Sequence, residues 1–285
     1  MKFVLIADFF ANEILGGGEI NNEELVFILK DTGHEVKCIN SRFVSPSFLE
    51  EHSACNFIIA NFVQLSEESK KALLKNKYII YEHDHKYLID RNPALFDNFL
   101  APKEAIVNYE FYSSAKAILC QSSFHKSIVE RNLNLKNIIS LGGNLWSEES
   151  LYLMEEISKN NKKESCSIMK SNIGHKNTYE AIKFCQAKNL DYELIEDKNY
   201  HNFLRKLGSN EKFVFFPKTP ETLSRVVVEA RMMGCSTITN NLIGATKEPW
   251  FEQKGSDLIK IIKKKREEIP QMVIEAFREN TSNDE

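Results

Sequence analysis

Four short stretches carry the side chains best suited to chemistry. Gly16-Gly17-Gly18-Glu19 places three glycines where a ligand could approach the backbone, just before a helical stretch whose free N–H groups favour phosphate. It is neither a GxGxxG fingerprint nor a P-loop, because Asn21 stands where a glycine is needed and no Gly-Lys-Ser/Thr follows. The competing reading is a surface loop. Tyr81-Glu82-His83-Asp84-His85 ends an apolar run; if that strand continues, His83 and His85 face one way and Glu82 and Asp84 the other. Ligand contacts in open α/β sheets gather at such strand ends, so His83 reads better as a substrate contact than as part of a metal site. Glu221 and Glu229 lie in VFFPKTPETLSRVVVEARMMGC (214–235), eight positions or about 12 Å apart if both are on one helix. Carboxylates at that spacing could each take hydrogen bonds from a sugar, with phosphates between them at the helix start. Taken alone, two solvated glutamates are the blander reading. Lys170 and Lys176, in KSNIGHKN, join a strand to a helix and could neutralise a diphosphate, although exposed lysines are usually solvated charges.

The elements that must position these residues alternate along the chain. Apolar runs at 2–8, 35–39, 56–61, 78–82, 117–120 and 137–141 read as strands, and 19–32, 66–75, 102–114 and 123–132 as helices between them. After a turn at Gly142-Gly143-Asn144, Ser147-Glu148-Glu149 reads as a helix start, and 159–164 is a polar run. Alternation resumes with strands at 165–169, 191–195, 212–216 and 236–239 and helices at 177–188, 199–207 and 222–233. A tail of two helical stretches, 256–268 and 270–279, follows. Such alternation predicts parallel sheets, and the connection from the turn to the polar run, near 145–164, divides the chain into domains 1–147 and 148–285, the tail being able to pack back on the first.

Composition narrows the classes. The 285 residues hold 37 Lys+Arg and 40 Asp+Glu, a formal charge of −3, with 42% hydrophobic residues. That is an ordinary globular balance, without a global electrostatic case for nucleic acid. No apolar run is long enough for a membrane helix. Six scattered cysteines form no CxxC pair, so a reducing, cytoplasmic setting without disulfides or structural zinc is expected.

In order along the chain, the four stretches resemble the motifs of retaining, nucleotide-sugar-dependent glycosyltransferases of the GT-B fold, family 4. Gly16 to Glu19 is similar to that family's glycine loop, and His83-Asp84 to its strand-end His-Asp. Ile118 to Lys126 and Asn137 to Leu145 look like segments of its first domain. Glu221, Glu229, Ala230 and Gly234 to Thr237 are similar to its Glu-x7-Glu signature.

The resemblance implies two Rossmann-like domains facing a cleft. Gly17 and Gly18 would lie under the donor phosphate, with Lys176 on the diphosphate and Lys170 in place of an arginine the family carries. Glu221 would hold the transferred sugar and Glu229 the ribose, with His83 beside sugar and acceptor. A saccharide, lipid or other hydroxyl compound would be the acceptor, and no metal or cofactor would be needed. Thr222-Leu223-Ser224 departs from the family's Gly-Phe-Gly, where Ser224 could add a hydroxyl donor. Only 44 residues (177–220) separate Lys176 from Glu221, which is short for the stretch that holds the base. Two alternatives stay open: a non-catalytic nucleotide- or sugar-binding module, and a glycosyltransferase acting on a nucleic-acid base through the basic run 260–266 (KIIKKKR). The aromatics of 86–112 (Tyr87, Phe96, Phe99, Tyr109, Phe111, Tyr112) read mainly as core, with an acceptor platform as the alternative.

Overall fold

The computed structural model describes residues 1–278. Ten strands form two all-parallel sheets, a six-stranded one in the order β2-β1-β3-β4-β5-β6 and a four-stranded one in the order β10-β9-β7-β8. Strands β1 (Lys2–Ala7), β2 (Glu35–Asn40), β3 (Asn56–Ile59), β4 (Tyr78–Glu82), β5 (Ile118–Cys120) and β6 (Ile138–Ser140) make the first. Strands β7 (Lys163–Met169), β8 (Tyr192–Ile195), β9 (Asn210–Phe215) and β10 (Ser236–Thr239) make the second.

Parallel neighbours need long crossovers, and helices supply them. In the first sheet these are α1 (Gly17–Asp31), α2 (Pro46–Glu51), α3 (Glu67–Leu73), α4 (Tyr109–Ser113) and α5 (Ser123–Leu133). Helix α6 (Glu148–Ser158) leads to the second sheet, whose crossovers are α7 (Thr178–Ala187), α8 (Tyr200–Leu207) and α9 (Arg225–Met232). Helix α10 (Gly255–Phe277) closes the described chain. β1 and β4 are almost wholly buried, as expected of strands covered on both faces.

Both sheets share one plan: the first strand lies between the second and the third, so the strand order reverses beside β1 and again beside β7. Ligand crevices in open parallel sheets form outside the carboxyl ends of strands at such reversals. The glycine loop follows β1, and KSNIGHKN follows β7.

Several starts and stops are legible in local chemistry. Ser147 Oγ accepts from the Ser150 N–H at 3.2 Å to cap α6, and Ser122 Oγ accepts from the His125 N–H at 3.1 Å to cap α5. Three expectations are corrected. The stretch 102–114 is not one helix: a short turn at Lys103–Ala105 is followed by α4, because Asn108 takes a left-handed φ of 58°. The helix expected over 222–233 begins only at Arg225, because Ser224 has φ 74°. The two tail stretches are one helix running through Pro270, and the last predicted position, 279, lies outside the described residues.

Helix α10 joins the two halves. Leu258, Ile259 and Ile262 pack into the core of the second sheet, whereas Ile269, Val273, Ile274 and Phe277 pack into a core of the first. Each such buried side chain contributes about 1.5–3 kcal/mol. Every cation of the run 260–266 has an acidic neighbour: Lys260 with Asp257, Lys263 with Glu155, Lys264 and Lys265 with Glu268, and Arg266 with Glu24. Tyr87, Phe111 and Tyr112 are core, whereas Tyr109 is exposed. No helix among the described residues is long and apolar enough to cross a membrane.

Candidate active site

A cavity of about 420 Å³ opens between the two sheets. Its lining includes Gly17, Gly18 and His83 from the first half, and Lys176, Glu221, Ser224 and Glu229 from the second. Seven of the eight predicted donor-site and catalytic residues therefore share one cleft.

The eighth, Lys170, does not. Its N–H donates to the Ile195 carbonyl, continuing the β7–β8 pairing, and its ammonium is 2.5 Å from Glu196 Oε1 on the exposed edge. One residue past β7, its backbone still follows β8, and the side chain goes to Glu196 rather than to the cleft.

The glycine loop lies close to both halves of the molecule. A Cβ on Gly17 would lie 3.1 Å from Arg225 Cδ, and one on Gly18 would lie 3.5 Å from His83 Cγ. A side chain at Gly17 would make Arg225 give by a few tenths of an ångström, whereas one at Gly18 would make ordinary contact with His83.

Lys176 reaches the cleft through two backbone-anchored loops. Lys218 N–H donates to the His175 carbonyl at 2.8 Å, and Asn177 Nδ2 donates to the Phe216 carbonyl at 2.9 Å. The Lys176 ammonium then lies 2.8 Å from Glu221 Oε1. Glu221 itself is not on a helix. Its N–H donates to the Leu242 carbonyl and its C=O accepts from Gly244 N–H, forming a parallel bridge beside Ile243. The expected 12 Å helical ruler between Glu221 and Glu229 therefore does not apply; the left-handed Ser224 turns the chain between them.

Glu229 does sit on α9 and is 3% exposed. Its Oε1 accepts from the indole N–H of Trp146 at 2.9 Å and from the Tyr200 hydroxyl at 2.6 Å, and Arg225 Nε lies 3.6 Å away. Arg225 also stacks on the Trp146 ring and donates to the Leu145 carbonyl. Burial and the neighbouring Glu229 carboxylate hold the Tyr200 hydroxyl far above the usual phenol range, so it stays a donor. The N-terminus of α9, which no side chain caps, brings partial positive charge to the same wall. Ser224 Oγ is buried there without a hydrogen-bond partner.

His83 Nε2 is 2.7 Å from Asn22 Oδ1, and Nδ1 meets the side-chain amide of Gln121. Burial, followed by the charges of Lys86, His125 and Arg225, pushes its pKa well below the ordinary imidazole value, so it is neutral. β4 stops at Glu82, so His83 and His85 lie beyond the strand whose alternation would have set them on one face. His85 is buried, with Nδ1 3.1 Å from the Tyr87 hydroxyl. Glu82 pairs with Lys86 and Tyr112, while Asp84 faces Arg91. Among the described residues no group of three or more His, Cys, Asp or Glu is arranged to hold a metal ion.

Sequence reasoning missed Asn22, Gln121, Trp146, Tyr200 and Arg225. Arg225 was within reach, lying four positions before Glu229 and so on the same face of a helix. The contacts of Trp146 and Tyr200 cross 83 and 29 positions, which no local spacing encodes.

Two parallel-sheet domains facing a cleft, each with its strand order reversing beside its first strand, define the GT-B class of fold. Comparisons agree on that class. No protein-family model matches the chain, and no curated protein does. Among solved structures, a glycosyltransferase from Rickettsia africae ESF-5 has a TM-score of 0.55 at 13% identity, covering 97% of this chain and 93% of that one. The lipopolysaccharide outer core galactosyltransferase WaaB, in its apo form, has a TM-score of 0.52 at 11% identity, covering 98% and 92%. HepE from Anabaena in complex with UDP-glucose has a TM-score of 0.49 at 11% identity, covering 97% and 92%. The first two likenesses, at these identities, establish a GT-B fold over nearly the whole chain.

Proposed function

We propose that the protein is a nucleotide-sugar-dependent glycosyltransferase that moves a sugar to a hydroxyl acceptor with retention of configuration and without a metal. One observation carries this reading. A single cleft gathers the glycine loop, the Lys176–Glu221 pair and Glu229 beside the N-terminus of α9. The solved glycosyltransferases of like fold raise its prior.

In this reading the donor diphosphate lies between Gly17-Gly18 and the start of α9, with Lys176 as its cation. Lys176 pairs with Glu221; donor binding exchanges that pair, the ammonium turning to phosphate and the carboxylate to sugar hydroxyls. Glu229 presents Oε2 to the ribose while Trp146 and Tyr200 hold Oε1. Met169, Tyr200 and Phe203 line the cavity and offer a stacking surface for the base. His83, with both nitrogens engaged, forms a neutral wall beside the sugar. Positioning and cationic stabilisation of the leaving diphosphate supply the rate, and that diphosphate takes the acceptor proton. The setting is cytoplasmic, and a saccharide or lipid acceptor is favoured over a nucleic-acid base, because the cations of 260–266 are matched by acidic neighbours.

The test is donor consumption across a panel of nucleotide sugars with mixed acceptors. Wild type should consume one donor class and Glu221→Ala should lose that activity at least about 100-fold. Equal behaviour of the two proteins on every donor would sink the proposal. Tight nucleotide binding without turnover would favour a binding module instead.

A further inference from the structure

Gln121 stands at the centre of a hydrogen-bonded chain that crosses the cleft. It follows the last residue of β5 and is 5% exposed. Its backbone is held on both sides: the N–H donates to His125 Nδ1 at 3.3 Å, and the C=O accepts from Gly143 N–H at 2.9 Å. The side chain is therefore aimed, and both ends of its amide are used. Nε2 meets His83 Nδ1. Oε1 accepts from the Thr222 hydroxyl at 2.9 Å and from Asn144 Nδ2 at 3.3 Å.

An amide nitrogen only donates. His83 Nδ1 must then be an acceptor without a proton, and the neutral ring carries its proton on Nε2, donating to Asn22 Oδ1 at 2.7 Å. On the other side, Thr222 neighbours Glu221, and the Thr222 carbonyl also accepts from Ser122 Oγ. One amide thus connects the histidine of the first half to the loop that carries a carboxylate of the second.

We propose that Gln121 is a positioning residue that holds His83 as its Nε2–H tautomer and, through Thr222, sets the Glu221 loop in register with the first-half wall of the cleft. Its part in the reaction rests on the glycosyltransferase reading; the tautomer does not. With Nδ1 and Nε2 both occupied, His83 takes no proton from an acceptor. The charged and titratable groups facing it are Lys86, Arg225 and His125, with the Tyr81 ring at 4.8 Å.

The experiment uses ¹⁵N-histidine-labelled protein and long-range ¹H–¹⁵N spectra, with His83 assigned by its disappearance in His83→Gln. In wild type, Nδ1 should be unprotonated and Nε2 protonated. In Gln121→Glu a carboxylate replaces the donor, so the His83 proton should appear on Nδ1. On the donor that wild type consumes, Gln121→Glu and Gln121→Ala should lower kcat by roughly 10- to 100-fold through misplacement of the two walls. The donor KM should change by less than kcat does, because the amide acts on the cleft through His83 and Thr222 while Lys176, Glu221 and Glu229 keep their own side chains for the donor. An Nδ1–H tautomer in wild type, a Gln121→Glu spectrum identical to wild type, or an unchanged kcat in Gln121→Ala would overturn the proposal. If wild type consumes no donor, the glycosyltransferase reading and the kinetic half fall together, while the spectra still judge the hydrogen-bonded chain.

Discussion

Replacing Glu229 separates its structural work from its binding work. Glu229 is 3% exposed, and its Oε1 satisfies two buried donors, the Trp146 indole and the Tyr200 hydroxyl. Glu229→Ala leaves both donors unpaired, at about 1–3 kcal/mol each. It also strips Arg225 of its nearest carboxylate, at 3.6 Å. A total of about 3–6 kcal/mol in a chain of this size lowers the melting temperature by on the order of 10 °C. Glu229→Gln keeps an oxygen in the same place and both donors satisfied, so it should cost about 1 kcal/mol or less. Nucleotide affinity should nevertheless fall in Glu229→Gln, because the amide accepts hydroxyl hydrogen bonds less strongly than a carboxylate. Melting curves and calorimetric titration with a nucleoside diphosphate on all three proteins read the two effects apart. If Glu229→Ala and Glu229→Gln melt within about 2 °C of one another, the assignment of Oε1 to a buried two-donor site is wrong.

Two further outcomes follow from other parts of the structure. A Cβ on Gly244 would lie 2.3 Å from the Thr222 carbonyl and 2.6 Å from Ser122 Oγ, so Gly244→Ala must push the Glu221 loop away from the first half. It should destabilise by about 1–3 kcal/mol and weaken donor binding; unchanged chemical denaturation would contradict the packing. Stability should also fall in mild acid. His125 is fully buried and its pKa is pushed down to about 3 from 6.5, chiefly by burial, while His83 and His85 are lowered in the same direction. Below pH 6.5 the unfolded chain binds protons that the folded chain refuses, so this stability is complete above that value and is lost as pH falls toward 3. For His125 alone the loss between pH 6.5 and 5 is about 2 kcal/mol. Urea denaturation at several pH values reads it; no slope in that range, or an equal slope in His125→Gln, would refute it.

Much of the architecture was legible because it rests on local rules. Apolar runs such as KFVLIA and YIIYE bury both faces of a strand, and their alternation with helical stretches permits little besides parallel sheets. Caps such as Ser147 and Ser122 mark helix starts by chemistry that acts over three residues. Two of the three corrected elements turn on one backbone angle each, the third being a helix that runs on through Pro270. Asn108 and Ser224 each adopt positive φ, and each shortens a helix the pattern had extended through it. Ser224 shows why this is hard to foresee, since a side chain disfavours the left-handed region and only the surrounding fold imposes it.

The candidate site divides along the same line. The order of the motifs along the chain, and their resemblance to those of a glycosyltransferase family, pointed to Gly17, Gly18, His83, Lys176, Glu221, Ser224 and Glu229, although residue types alone left each with a blander reading. Only the tertiary structure decided that these seven share a cleft and that Lys170 pairs with Glu196 outside it. Only the tertiary structure, too, placed Trp146 and Tyr200 on Glu229 and Gln121 between His83 and Thr222. Local sequence determines which strand end bears a given side chain. Which strand ends meet, and which atoms are left to satisfy one another there, is set by how two sheets pack across a cleft.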